Sequence, residues 1–219
     1  MERRLSPSLA ERLKTETGAL HTAAERSTFM GLLLRGRMAR PAYCALLRNL
    51  HAIYAALEPA LARHASHAMI APIYEPALCR TRALEDDLQC LHGADWRDAF
   101  ALQHATRAYA DRVKRIEAGE SGLLLAHAYV RYLGDLSGGQ MLGRIVARSM
   151  GLSDAAGTRF YDFGDAACAQ ARAQAFRTGL GRVVCGPAAI DALVGEAALS
   201  FRLHRQLFDE LALATGLGT

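Results

Sequence analysis

Ala126-His127-Ala128-Tyr129-Val130-Arg131-Tyr132-Leu133-Gly134-Asp135-Leu136-Ser137-Gly138-Gly139-Gln140 is the stretch that decides the reading. It lies in a long apolar run, from Gly122 to Met150 with Gly151 as its stop, that demands a helix. Yet Gly134, Gly138, Gly139 and Gly143 lie inside it, and each interior glycine costs about 1 kcal/mol relative to alanine. Gly134 and Gly138 are four residues apart, on one face. Without side chains there, the backbone can approach a large flat object closely, and the helix can kink. Asp135 follows Gly134, with Arg131 one turn earlier as its charge partner. The segment reads as a pocket wall with one carboxylate near its centre. Close helix–helix packing through small residues is the competing reading, and it leaves Asp135 unexplained. A phosphate-binding loop is excluded, because no strand precedes the segment and neither glycine-rich phosphate motif is met.

Helical periodicity extends outward in both directions. Ser6-Pro7 reads as a helix start, with Ser6 as N-cap, and Leu9, Leu13 and Leu20 follow at helical spacing. A second helix begins near Pro41 and runs through Leu46, Leu50, Ile53 and Leu57, with Pro59 bending or restarting it. His67 to Glu75 is a connector, Pro76 opens the next helix, and helical spacing over Leu78–Leu91 stops near His92-Gly93. Further helices cover about Ala101–Ala118, closed by Gly119, and then about 165–179 and 187–214, parted by Gly181 and Gly186-Pro187. Residues 152–164 read as a loop. No run of period-two alternation is flanked by turns, so no sheet is expected. No repeat or low-complexity linker divides the chain, and the reading is one all-α domain over residues 1–219.

The 219 residues are 51% hydrophobic and 22% charged, which excludes intrinsic disorder. No uninterrupted apolar run approaches the ~18–20 residues of a membrane-spanning helix. The N-terminus lacks the apolar stretch of a secretory signal, so a cytoplasmic location is expected. Five scattered cysteines, an odd number without a C-x-x-C pair, favour reduced and buried or inert thiols over disulfides or a thiolate zinc site. The net charge of +4 is carried almost entirely by arginine, the lysines being Lys14 and Lys114. No block of like charge concentrates it as nucleic-acid binding would require. The excess reads as a solvated basic surface or as a docking face for an acidic partner or an anionic ligand.

Eight histidines are present, none in an H-E-x-x-H pair, and most are expected on the surface or in packing. His21 stands out through its neighbours. On a helical wheel Leu20 and Ala24 lie near the centre of the apolar stripe of their helix, and His21 lies at its edge. Glu25, at i+4, can reach one ring nitrogen, which orients the imidazole and leaves the other nitrogen free for a metal. A border histidine in an ordinary i,i+4 pair remains open from this segment alone.

Together these segments closely resemble the heme oxygenase family. The resemblance is carried by Leu124 through Gln140, by Leu13-Lys14-Thr15-Glu16 with His21 to Glu25, by His51 to Glu58, and by Gln206 to Leu211. It covers essentially the whole chain in order. It implies an all-α, single-domain, multi-helix bundle with heme between a proximal and a distal helix. The family's axial histidine matches His21, and the carboxylate touching it matches Glu25. Ala24 joins the heme-facing positions. The distal helix matches the segment around Gly134 and Gly138, and the distal aspartate matches Asp135, with Arg131 beside it. Tyr129 matches a tyrosine near the heme edge, Tyr54 one in the distal network, and Phe201 an aromatic lining the pocket. Lys14 and Arg177 match basic residues that hold the propionates. Ala173 and Gly18 depart from positions that are basic in some relatives, which leaves open the meso carbon that is attacked.

The resemblance further implies heme as both prosthetic group and substrate, O2 as co-substrate, and biliverdin, CO and Fe2+ as products. Electrons would come from a reductase, ferredoxin or flavodoxin. Neither a nucleic-acid nor a membrane partner is expected, and the chain is expected to be a monomer. A heme-binding or trafficking protein that does not degrade heme is the main alternative.

Overall fold

The computed structural model describes residues 7–153 and 156–217. Among them are nine α-helices and no strand. The first, α1 (Leu9–Glu25), starts from a capping box: Ser8 Oγ accepts from the Glu11 amide, and the Glu11 carboxylate accepts from the Ser8 amide at 2.8 Å. The cap is therefore Ser8, with Pro7 ahead of the helix, while the expected cap Ser6 lies outside the described residues. A seven-residue helix, α2 (Thr28–Leu34), follows from N-cap Ser27, too short to show a period in the sequence.

The third helix, α3 (Arg40–Arg63), passes through Pro59 without a break. The carbonyl that loses its partner there belongs to Ala55, which is exposed, so water can take the place of the missing N–H. Pro76–Leu78 form a 3-10 turn, and α4 (Thr81–Leu91) begins only afterwards. Its first amides are satisfied from outside: Glu58 of α3 accepts from the Arg80 and Thr81 amides and from the Thr81 hydroxyl. A four-residue helix, α5 (Trp96–Ala99), precedes α6 (His104–Gly119). The start of α6, later than its sequence periodicity, follows from Asn49. That buried amide donates to the Ala101 carbonyl and accepts from the Gln103 amide at 2.8 Å and the Thr106 hydroxyl at 2.7 Å.

The longest central helix, α7 (Leu124–Met150), is closed by Gly151 at φ +62°, a left-handed conformation that costs glycine least. The loop after it carries a 3-10 turn, Arg159–Tyr161. Then come α8 (Ala166–Arg182), which continues through Gly181, and α9 (Pro187–Ala214). α9 packs against α1, α2, α6 and α7, and α3 packs against α4 and α6. Buried residues of all these helices form one contiguous hydrophobic cluster. No helix among the described residues is long and apolar enough to cross a membrane. All five cysteines are free thiols, but Cys90 and Cys168 are exposed, so only part of the expected burial holds. Both lie on outward faces of amphipathic helices, where a small thiol carries no burial demand.

Gly179 marks a close approach in the packing. A Cβ there would stand 2.0 Å from the Pro72 carbonyl oxygen, which is backbone and cannot yield cheaply. Gly179→Ala is expected to lower stability by about 3 kcal/mol, read as a drop in the urea midpoint with an unchanged slope.

Candidate functional site

A half-open cleft lies between α1 and α7, with α2, α3, α9 and the Arg159–Tyr161 turn forming its other sides. Its lining is mainly apolar, with Leu33, Leu46, Leu50, Val130, Phe201 and Phe208 among the walls.

From α1 come His21, Ala24 and Glu25. His21 Nδ1 stands 3.6 Å from Glu25 Oε2, and the histidine side chain is 49% exposed. Phe201 of α9 meets the imidazole edge-on, with centroids 5.8 Å apart and planes at 86°. Glu25 thus addresses one ring nitrogen and leaves Nε2 without a partner among the described residues.

From α7 come Gly134, Asp135 and Gly138. A Cβ built on Gly134 or Gly138 meets nothing within 4 Å, so bare backbone faces open space. Gly139 and Gly143 are spent differently. Their Cβ positions would lie 3.5 Å and 3.1 Å from Tyr161, whose ring packs on the backbone there. The glycine-rich run is thus divided: Gly134 and Gly138 face open space on the cleft, while Gly139 and Gly143 seat the Arg159–Tyr161 turn instead of a neighbouring helix.

Asp135 is 9% exposed and held from two sides. Tyr54, fully buried on α3, donates to Oδ2, and Arg131 Nη2 donates to Oδ1 at 3.0 Å. Arg131 also donates from Nε to the Tyr54 oxygen at 3.0 Å and from Nη1 to His204 Nε2 at 2.8 Å. His204 Nδ1 in turn donates to the Ser200 carbonyl at 3.0 Å, which leaves Nε2 as the acceptor Arg131 needs. Burial pushes the Asp135 carboxyl above its usual range, against the pull of Arg131 and Tyr54. Burial and the adjacent guanidinium both hold His204 well below the usual histidine range, so the ring is neutral.

Four-residue spacing produces this network. His127, Arg131 and Asp135 share one stripe of α7; Glu196, Ser200 and His204 share one stripe of α9. His127 Nε2 meets Glu196 Oε1 at 2.9 Å, Arg112 of α6 grips Glu196, and Tyr109 reaches the Ser200 hydroxyl at 3.0 Å. Sequence reading anticipated Asp135, Arg131 and Tyr54 but missed His204, Ser200, Tyr109 and the His127–Glu196 pair. The signal was present as two polar stripes of period four on otherwise apolar helices. Their partnership needed the fold.

The remaining anticipated residues lie away from the cleft wall. The Tyr129 hydroxyl lies near Thr17 on α1 and in the field of Arg177 on α8, and its burial raises its pKa. Lys14 is exposed one turn before Thr17, and Arg177 is also exposed. Lys14, Tyr129 and Arg177 lie on α1, α7 and α8, and α8 packs against both of the others. Ala173, one turn before Arg177, is buried and adds no charge there.

Comparisons with known proteins point to one family. The family model described as heme oxygenase matches residues 7–210. A heme oxygenase 1 of Nostoc sp. is 37% identical over 207 residues, covering 94% of this chain and 87% of that protein. A heme oxygenase of Rhodella violacea is 38% identical over 204 residues, covering 93% of this chain and 87% of that protein. Among solved structures, heme oxygenase-2 from Synechocystis sp. PCC 6803 in complex with heme and NO superposes with a TM-score of 0.90 at 36% identity, covering 95% of this chain and 86% of that one. Heme oxygenase-1 from the same cyanobacterium, in complex with heme, gives 0.87 at 35% identity, covering 96% and 97%.

A neutral buried His204 has a consequence for stability. The unfolded chain takes up a proton at this histidine below pH about 6.5 and the folded chain does not, so stability falls as pH falls through that value. His204→Gln keeps a side-chain acceptor and does not titrate. Urea unfolding at pH 7.5 and 5.5 is expected to show a smaller loss for the variant; an equal loss would mean that folded His204 is protonated.

Proposed function

The chain belongs to the heme oxygenase family and is a heme-degrading oxidoreductase, and from that premise we propose the residue roles by which it converts heme to biliverdin, CO and Fe2+. The observation that carries the assignment is an imidazole with Nε2 facing an apolar cleft from one side and side-chain-free backbone facing it from the other. Bound heme supplies the iron that activates O2, the co-substrate, and is itself the ring that is opened.

His21 Nε2 binds the iron. Glu25 holds the ring through Nδ1 and raises its basicity, as a carboxylate does for a ligating histidine. Ala24 and Phe201 line the cleft beside it. Gly134 and Gly138 admit substrate to within contact of the α7 backbone, and the apolar walls exclude bulk water. Asp135 is an orienting carboxylate. Tyr54 occupies Oδ2 and Arg131 occupies Oδ1, but each oxygen has a second lone pair with which to hold an ordered water. The Tyr54 hydroxyl proton on Oδ2 stands next in line behind that water. Lys14, Arg177 and Tyr129 hold the two propionates at the α1–α7–α8 margin, an anionic end meeting a basic edge.

A reductase, ferredoxin or flavodoxin supplies the electrons. The arginine-rich charge of +4 supports an acidic donor, since complementary charge speeds encounter. We further propose one domain over residues 1–219, acting as a cytoplasmic monomer.

Two variants test the roles. His21→Ala is expected to lose the histidine-type Soret spectrum with hemin and all biliverdin formation, both restored by added imidazole; normal turnover without imidazole would remove His21 as the ligand. Asp135→Ala is expected to keep that spectrum, because the iron ligand is untouched, while biliverdin yield falls about a hundredfold. An unchanged yield by product chromatography would remove Asp135 from the chemistry.

A further inference from the structure

Asp87 on α4 is fully buried and takes no part in the roles above. Its two oxygens accept from two consecutive backbone amides, Oδ1 from Arg159 at 2.9 Å and Oδ2 from Phe160 at 2.8 Å. These amides open the Arg159–Tyr161 turn, which touches the functional machinery at two points. The Phe160 ring stands 5.8 Å from that of Tyr54, which hydrogen-bonds Asp135. The Tyr161 ring and backbone form the surface on which Gly139 and Gly143 of α7 are seated. Both Phe160 and Tyr161 line the cleft. The segment is braced further by the Tyr43 hydroxyl on the Gly157 carbonyl at 3.2 Å and by Arg80 Nη1 on the Asp162 carbonyl at 2.6 Å.

We infer that Asp87 is a positioning residue for heme cleavage: by pinning the Arg159–Tyr161 turn it sets the seat of α7, and so the distance of the glycine face from the His21 side. The inference rests on the proposed function in taking this cleft as the heme site. A carboxylate is required because two N–H donors converge on one side chain. Asparagine has one acceptor oxygen and would turn its NH2 against the second donor. An ionised carboxylate without a buried cation beside it is costly to retain, and the two amides offset only part of that cost. Burial accordingly pushes its pKa up to about 6, while the Phe160 and Arg159 amides pull the other way. The titratable groups facing it are Arg159 and Tyr161 of the turn, Tyr43 of α3 and Asp86 of α4. Protonation removes acceptor capacity, so the clamp loosens as pH falls through about 6 and is fully formed only well above it.

Amide-resolved hydrogen exchange on the heme-free chain tests this without turnover. At pH 7.5, Asp87→Asn is expected to speed exchange, corrected for intrinsic rates, about tenfold at Arg159 and Phe160 and also across residues 139–143 of α7. The wild-type chain should show the same acceleration as pH falls through about 6, and the variant should not. In steady-state assays the variant's kcat for biliverdin falls about tenfold, with KM for hemin within about twofold and the histidine Soret spectrum intact. Acceleration confined to the two turn amides, or an unchanged kcat, overturns the inference. Should Asp87→Asn fail to fold by circular dichroism, Gly143→Ala decides: its methyl crowds Tyr161 at 3.1 Å with the carboxylate intact. A wild-type kcat in that variant overturns the inference, and a lowered kcat supports it. If wild-type protein binds hemin but forms no biliverdin, the proposed function fails instead, and hydrogen exchange still judges whether Asp87 seats α7.

Discussion

A single guanidinium carries the most demanding constraint in this molecule. Arg131 is nearly buried, and an ion removed from water costs several kcal/mol unless its donors are met. It spends Nε on Tyr54, Nη1 on His204 and Nη2 on Asp135. Those three partners come from three helices, α3, α9 and α7, so their relative placement is set by one planar group with fixed donor directions. The same demand keeps His204 neutral, because a protonated ring would turn a donor toward the guanidinium. The candidate orienting carboxylate is thus held by groups that cannot move independently of the packing.

Around that centre, α7 reconciles opposing requirements. Its glycines weaken it as a helix, by about 1 kcal/mol each. Tertiary contacts and one local pair offset the loss: Tyr161 fills the space at Gly139 and Gly143, Leu124, Leu125 and Val146 are fully buried, and Arg131–Asp135 bridges one turn within the helix. Only Gly134 and Gly138 are left facing open space. The segment opposite is less constrained. His21 and Glu25 lie on an exposed edge of α1 and gain order from Phe201 and from each other. One wall of the cleft is therefore held by many partners, while the other presents the candidate ligand His21 on the last turn but one of a helix.

The helix-poor stretch between α7 and α8 is more than a connector. Carboxylates buried at helix ends, Glu58 at the start of α4 and Asp87 against the Arg159–Tyr161 turn, satisfy backbone amides that no helix serves. Arg80 completes the same economy by donating to carbonyls of Ala77, Leu78, Cys79 and Asp162 and covering the Phe163 ring at 4.1 Å. Irregular backbone can be buried here because each of these polar groups has a partner.

Local rules were sufficient for much of this protein. Apolar periodicity located the long helices, the position of Gly151 ended α7, and the pairs His21/Glu25 and Arg131/Asp135 followed from i,i+4 geometry, since neighbours within a helix are fixed by its pitch. Where the sequence misled, a distant side chain had taken over a local role at two helix starts, Asn49 delaying α6 and Glu58 starting α4, while α3 continues through Pro59 and α8 through Gly181. The partnership of the polar stripes on α7 and α9, the division of four glycines into wall and seat, and the capture of the Arg159–Tyr161 turn by Asp87 were decided by tertiary structure alone. Each joins residues tens of positions apart, and which helix faces meet is settled by the collective burial of apolar surface, which no short window of sequence contains.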